Sequence, residues 1–490
     1  MNKPLRRIAI FCGLLVLALL IRDNWLQYVQ ADKLRTASDN RRVAIERYAA
    51  PRGDIIVDGE PITGSVLTKA GDYKYKRTYK NGPMWAPVTG YSSQAFDSTQ
   101  LEKINDGILT GNDDRLFFRN TLDMLTGKPK QGGNVVTTLN SAAQKAAYSG
   151  LKNQGGKGAV VALEPATGKI LALASYPSYD PSSFAGSRDS DAAAWSKLQK
   201  KSDASDPMLN RALRETYPPG STFKVVTAAA ALENGKYSSA DQKTDSPLPW
   251  VMPGTQTELK NEGNIPCKDA TMRVALQYSC NTVFGKIGAD LGNDKMLAEA
   301  KKFGFDSEQF TPIRANASVF GKNMNDSQTA LSSIGQFDTA ATPLQMAMVA
   351  SAVANDGKLM KPYMVSSLQS NLDPVERFEP EEMSQPLSPS NAQILQSMME
   401  TVVKDGTGKN AQINGVTVGG KTGTAQHGVE NSENPYAWFL SYAKLPDHSS
   451  PVAVAVVIED DNAVRDDISG GGLAAPIAKN VMEAVINSKK

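Results

Sequence analysis

The chain has 490 residues, with 53 Lys and Arg against 51 Asp and Glu, so it can fill two cores of usual size but carries no broad basic field for nucleic acid. Hydrophobic residues at 41% and charged residues at 21% exclude global disorder. Two histidines, His427 and His448, and three cysteines, Cys12, Cys267 and Cys280, with no C-x-x-C pair, leave little for a metal site, so no metal and no cofactor is expected. A Ser-His-Asp triad would have to use one of those two histidines, which makes lysine the expected base for any serine chemistry.

An apolar run of 14 residues from Ile8 to Ile21 opens the chain, preceded by Lys3, Arg6 and Arg7. Alone it suits a signal-peptide core, since a span needs roughly 20 residues. Leu5 before it, and Trp25, Leu26, Tyr28 and Val29 after the charged break Arg22-Asp23, extend it toward a retained signal-anchor with interfacial aromatics. Cleavage near Val29-Gln30-Ala31 is the alternative. Either way the basic end is expected inside and everything after about residue 31 outside the cytoplasmic membrane. An oxidising compartment would permit Cys267 and Cys280 to pair, the alternative being two separate small buried residues. Cys280 would otherwise be open to reading as a reactive thiol.

On the retained-anchor reading, residues 1–30 are expected to form a cytoplasmic tail and a single transmembrane helix. Residues 31–153 are turn-rich, with strand-like pieces at Asp54-Ile55-Ile56-Val57 and Tyr73-Lys74-Tyr75-Lys76 and no long amphipathic helix, predicting an irregular, mostly β module. A second domain, 154–490, begins with a hairpin, Ala159 to Leu163 and Lys169 to Ala174. A helix is predicted from Ser221 to Asn234 after Pro218-Pro219-Gly220, and another after the Thr342 cap and Pro343. Three strands, Val416 to Gln426, Ala437 to Tyr442 and Val452 to Glu459, precede a closing helix, Ala475 to Ile486. This order predicts an α+β fold.

Three short motifs carry chemistry. Ser221-Thr222-Phe223-Lys224 places a hydroxyl and an amine at i,i+3, on one face of a helix. Lys224 can take the serine proton if burial, the helix N-terminus or a second cation keeps it neutral near pH 7. Ser279-Cys280-Asn281 supplies a hydroxyl that can relay a proton and an amide that can hold a carbonyl. Lys421-Thr422-Gly423-Thr424 on a strand adds a cation, a hydroxyl for a carboxylate, and at Gly423 a missing side chain beside which substrate can lie. Of the histidines, His427 reads as solvent-facing or structural, and Trp438 on the following strand as core.

In this order the three motifs resemble those of penicillin-binding proteins and serine β-lactamases. Arg52-Gly53-Asp54-Ile55, Thr138-Leu139-Asn140, Gly158 to Pro165, Tyr176 to Pro181 and Tyr217 to Lys224 extend the resemblance over most of the chain, to class B penicillin-binding proteins. With no appended module after the closing helix, it is most similar to the small actinobacterial penicillin-binding protein A type. The resemblance implies a transpeptidase domain with a five-stranded antiparallel sheet and helices on both faces. It implies Ser221 as nucleophile toward D-Ala-D-Ala stem peptides, Lys224 as base, Ser279 as relay, and Asn281 on the donor peptide. Lys421 and Thr424 would receive the carboxylate, Thr422 and Gly423 would belong to the same substrate-binding strand, and backbone N–H groups of Ser221 and Thr424 would form the oxyanion hole. An amine acceptor would close a 4→3 peptidoglycan crosslink, and β-lactam antibiotics would acylate the same serine. Septal wall synthesis beside a glycosyltransferase and division-machinery partners follows by analogy. Rivals are a D,D-carboxypeptidase or β-lactamase, in which water replaces the amine, a β-lactam sensor, and a non-catalytic wall scaffold.

Overall fold

The computed structural model describes residues 3–35, 40–68, 71–116, 121, 124–127, 131–199, 205–370, 373–426, 432–459 and 468–489. Helix α1 (Lys3–Tyr28) runs for 26 residues straight through the Arg22-Asp23 break, with no buried residue. At the α-helical rise it is about 39 Å long, which exceeds an apolar bilayer core of about 30 Å. Among the described residues it is the one helix long and apolar enough to cross a membrane.

The next module holds β1 (Ile55–Val57), β2 (Glu60–Pro61), a hairpin of β3 (Thr63–Leu67) with β4 (Tyr75–Tyr79), and β5 (Asn134–Thr137). Short helices at Gly82–Thr89, Gln100–Ile104 and Asp106–Thr110 lie between them. The expectation of no long helix before residue 153 fails at α2 (Ser141–Gln154), started by the Asn140 side chain accepting from Ala143 N–H. Its buried stripe, Ala143, Gln144, Ala147 and Leu151, is mostly alanine, which mutes the amphipathic signal in the sequence.

The second unit opens with β6 (Lys157–Leu163) and β7 (Ile170–Tyr176). A 3₁₀ turn (Gly220–Phe223) runs into α3 (Lys224–Glu233), followed by α4 (Met272–Gln277) and α5 (Asn281–Leu291). Helix α6 (Pro343–Ala354) starts where Thr342 accepts from Gln345 N–H. Then come β8 (Val365–Ser370), β9 (Asp373–Arg377) and α7 (Pro389–Asp405). The chain closes with β10 (Thr417–Ala425), β11 (Tyr436–Lys444), β12 (Val452–Glu459) and α8 (Ala475–Ser488).

Two five-stranded sheets result. One has the order β9-β8-β5-β1-β2, so strands from deep in the second unit complete the sheet of the first. The other, β10-β11-β12-β6-β7, is antiparallel throughout. Strands β6, β7, β11 and β12 are largely apolar because both faces are covered, whereas the edge strand β10 is rich in Gly and Thr and carries Lys421. Along β12, Ala453, Ala455 and Val457 enter one core with α6, while Val452, Val454, Val456 and Ile458 enter a second core with α2 and α8. The strand period of two sorts the residues between these cores. The fold is therefore α+β, with helices on both faces of the antiparallel sheet.

Candidate active site

The three motifs meet at β10, the edge strand of the antiparallel sheet. Ser221 lies in the 3₁₀ turn rather than on the α-helix, and Lys224 is the first residue of α3. The turn is held from two sides. Gly220, at φ +53°, donates its N–H to Gly335 O at 2.9 Å, and a Cβ on Gly335 would lie 2.0 Å from Gly220 O. Trp438, fully buried on β11, donates Nε1–H to Pro218 O at 3.0 Å. Trp438 is core, as its sequence position predicts, and it also anchors the approach to Ser221.

Gly423 differs from its expected purpose. A Cβ there would lie 2.9 Å from Thr222 Cγ2 and 3.1 Å from Pro219 O. The missing side chain lets β10 pack on the Ser221 turn, rather than making room for a substrate.

The lysines are both fully buried and share one hydroxyl. Lys224 Nζ is 2.7 Å from Ser279 O, 2.6 Å from Asn281 Oδ1 and 3.1 Å from Ser279 Oγ. Lys421 Nζ donates to Ser279 Oγ at 2.9 Å and to Thr422 O at 2.9 Å. Of the three groups around Lys224, the two carbonyl oxygens can only accept, while the Ser279 hydroxyl can donate. A neutral amine is then fully satisfied, with two N–H bonds to carbonyls and its lone pair facing Ser279 Oγ. Burial, and then the charge of Lys421, hold Lys224 well below the usual lysine range, with Glu262 opposing. Burial lowers Lys421 to about 7, again against Glu262. The chain Lys421–Ser279–Lys224 can therefore pass a proton toward the neutral end. Lys224 does not hydrogen-bond Ser221 in this state, since its amine is drawn to Ser279 and Asn281 instead.

Ser279 sits at φ +61° between α4 and α5, and Asn281 begins α5. The Asn281 amide is fixed from behind by Nδ2–H donating to Lys260 O at 2.9 Å. Cys280, between them, forms a disulfide with Cys267, Cα to Cα 5.7 Å, and both are buried, so Cys280 is no reactive thiol. Thr424 is half-buried near the C-terminal end of β10. His427 lies outside the described residues. No cluster of metal-ligating side chains occurs among the described residues. Sequence reasoning missed Gly335, Glu262 and Thr407, whose Oγ1 lies 2.6 Å from Thr422 Oγ1. Only the Gly-Thr-Gly run at 406–408 offers a local signal for any of them.

Residues 158–483 match the penicillin binding protein transpeptidase domain, and residues 52–135 the penicillin binding protein A dimerisation domain. The chain belongs to the penicillin-binding protein transpeptidase family. It is 40% identical to the peptidoglycan D,D-transpeptidase PbpA of Mycolicibacterium smegmatis, over 99% of this chain and 99% of that protein. The PbpA of Mycobacterium tuberculosis is also 40% identical, over the full length of both. The solved penicillin-binding protein A of M. tuberculosis, as its ceftriaxone acyl-enzyme, superposes with a TM-score of 0.83 at 40% identity, covering 90% of this chain and all of that one. Its penicillin G acyl-enzyme gives a TM-score of 0.82 at 40% identity, over 89% of this chain and all of that one.

Proposed function

We propose that this penicillin-binding protein is a peptidoglycan D,D-transpeptidase that forms 4→3 crosslinks through an acyl-enzyme on Ser221. The observation that carries this reading is the buried Lys224–Ser279–Lys421 relay beside the Ser221 turn. Ser221 Oγ attacks the penultimate D-Ala carbonyl of a stem peptide as its proton passes to neutral Lys224. Backbone N–H groups of Ser221 and Thr424 stabilise the oxyanion. The C–N bond to the terminal D-Ala breaks, and Ser279 relays the proton from Lys224 to the leaving amine. An amine from a second stem then attacks the ester, forms the crosslinking amide and returns the proton to Ser221. Asn281 holds the donor peptide, while Lys421 and Thr424 face its terminal carboxylate. A β-lactam enters the same path and stops at the acyl stage, in keeping with the acyl-enzymes solved for the M. tuberculosis relative.

We place α1 in the cell membrane with the N-terminus inside, because Lys3, Arg6 and Arg7 flank its start. Residues 31–153 then form a non-catalytic pedestal and 154–490 the catalytic domain, with α2 packed onto the latter. Work at the division septum, beside a glycosyltransferase and other division proteins, is the setting we favour from the resemblance.

Intact mass of the full chain in detergent, with and without penicillin G, tests the acyl-enzyme. One stable penicillin adduct is expected, absent from Ser221→Ala. No adduct with penicillin left intact sinks the reading, and no adduct with rapid penicillin hydrolysis assigns a β-lactamase instead. Glu262 supplies a finer check, since its carboxylate raises both lysines. Glu262→Gln should let them lose protons more easily and move the acidic limb of the acylation profile to lower pH. An unmoved or opposite limb would remove Glu262 from the electrostatics of the site.

A further inference from the structure

Beyond the three motifs, one short turn touches the elements that carry two of them. Gly406-Thr407-Gly408 follows α7, and N–H groups of Gly406 and Gly408 both donate to Val402 O, at 3.1 and 3.0 Å, closing the helix. On one side Thr407 Oγ1 meets Thr422 Oγ1 at 2.6 Å, and Thr422 O is an acceptor of Lys421 Nζ. On the other side Gln277 Nε2–H donates to Asp405 O at 3.1 Å, and a Cβ on Gly406 would lie 2.7 Å from Gln277 O. Gln277 ends α4, two residues before Ser279, whose hydroxyl joins the lysines. A Cβ on Gly471 would in turn lie 2.5 Å from Thr407 O, which wedges the turn from behind.

We propose that Thr407 is a positioning residue for acylation, and that its turn is a strut setting the Ser279 segment and the Lys421 strand at hydrogen-bonding distance. A helix end needs only the backbone bonds to Val402 O. The Thr407 hydroxyl plays no part in them, although Thr407 is exposed and could be satisfied by water. It instead fixes the side chain of buried Thr422, next to the carbonyl that orients Lys421 Nζ. A slack Thr422 lets Lys421 drift from Ser279 Oγ, the oxygen that joins it to Lys224 by hydrogen bonds.

The inference rests on the acyl-transfer reading above, and one experiment separates the two. The full-length chain and its Thr407→Val and Thr407→Ser variants are acylated by penicillin G, reading the pre-covalent affinity and the acylation rate constant separately, with Ser221→Ala as blank. Thr407→Val should acylate about three- to tenfold more slowly, the value of one net hydrogen bond, with pre-covalent affinity unchanged and the thermal midpoint lower by no more than about 3 °C. Thr407→Ser should restore the rate to within about twofold. Thr407→Val acylating at the parent rate, Thr407→Ser losing as much as Thr407→Val, or a Thr407→Val midpoint lower by about 5 °C or more, beyond the loss of one hydrogen bond, each overturns the strut. Failure of the parent chain to acylate overturns the acyl-transfer reading instead.

Discussion

Lys224→Met is expected to slow acylation by penicillin about 10²- to 10⁴-fold, the range of a lost general base, while Ser221 stays in place. Methionine is close to lysine in volume and needs no partner, so the buried site should still fold. The pH dependence has a defined sign. In the parent chain the rate should fall on the acid side as Lys224 gains a proton and loses its lone pair. It should fall again above about 7 in the free enzyme, as Lys421 loses its charge. Lys224→Met should lack the acid limb. Stability follows the same protons. A lysine lowered in the folded state is protonated in the unfolded chain up to about 10.4, so the folded state binds fewer protons and stability from this source rises with pH between about 7 and that value. Stopped-flow acylation from acidic to alkaline pH checks the first part, and a Lys224→Met rate near that of the parent would remove Lys224 as base.

Glu102→Ala should cost about 3–5 kcal/mol of stability, as is usual when a buried ion cluster loses one partner. Glu102 is fully buried on the helix Gln100–Ile104. Arg52 Nε–H and Arg77 Nε–H donate to its two oxygens at 2.6 Å each, and Arg52 also reaches Asp106 Oδ1 at 2.6 Å. Burial pushes the Glu102 carboxyl up, yet Arg77 and then Arg52 outweigh it and hold the group below its usual range. Removing the carboxylate leaves two buried guanidinium groups with too few acceptors. Thermal unfolding followed by circular dichroism should show a lower midpoint or loss of the folded state. The fraction that remains folded should still be labelled by penicillin, because the cluster lies outside the catalytic sheet. A midpoint within a degree or two of the parent would show that the cluster contributes little.

This cluster also marks a limit of sequence reading. Arg52 is visible as part of a recurrent segment, but nothing near it in the chain points to Glu102 or Arg77. The active site divides in the same way. Ser221, Lys224, Ser279, Asn281 and Lys421 are legible because each motif is only a few residues long and local chemistry limits what can stand there. Strands β6, β7, β11 and β12 are legible because two covered faces demand largely apolar runs, whereas β10 is legible through its Lys-Thr-Gly-Thr motif. Less legible was α2, whose alanine stripe is weakly apolar, and the place of Ser221 on a 3₁₀ turn, one step before the α-helix begins.

By itself the sequence determined the α+β order of elements, the apolar N-terminal helix, the three motifs and the use of lysine where histidine is scarce. Each depends on periodicity, composition or spacing within one short segment. The tertiary structure alone decided that Cys267 pairs with Cys280, that β8 and β9 complete the first sheet, and that Gly423 makes room for Thr222. It also decided that one hydroxyl, Ser279 Oγ, joins both lysines, and that Thr407 backs Thr422. These are contacts between residues far apart in the chain, fixed by how helices and strands pack, and local pattern carries no record of which distant side chain will arrive.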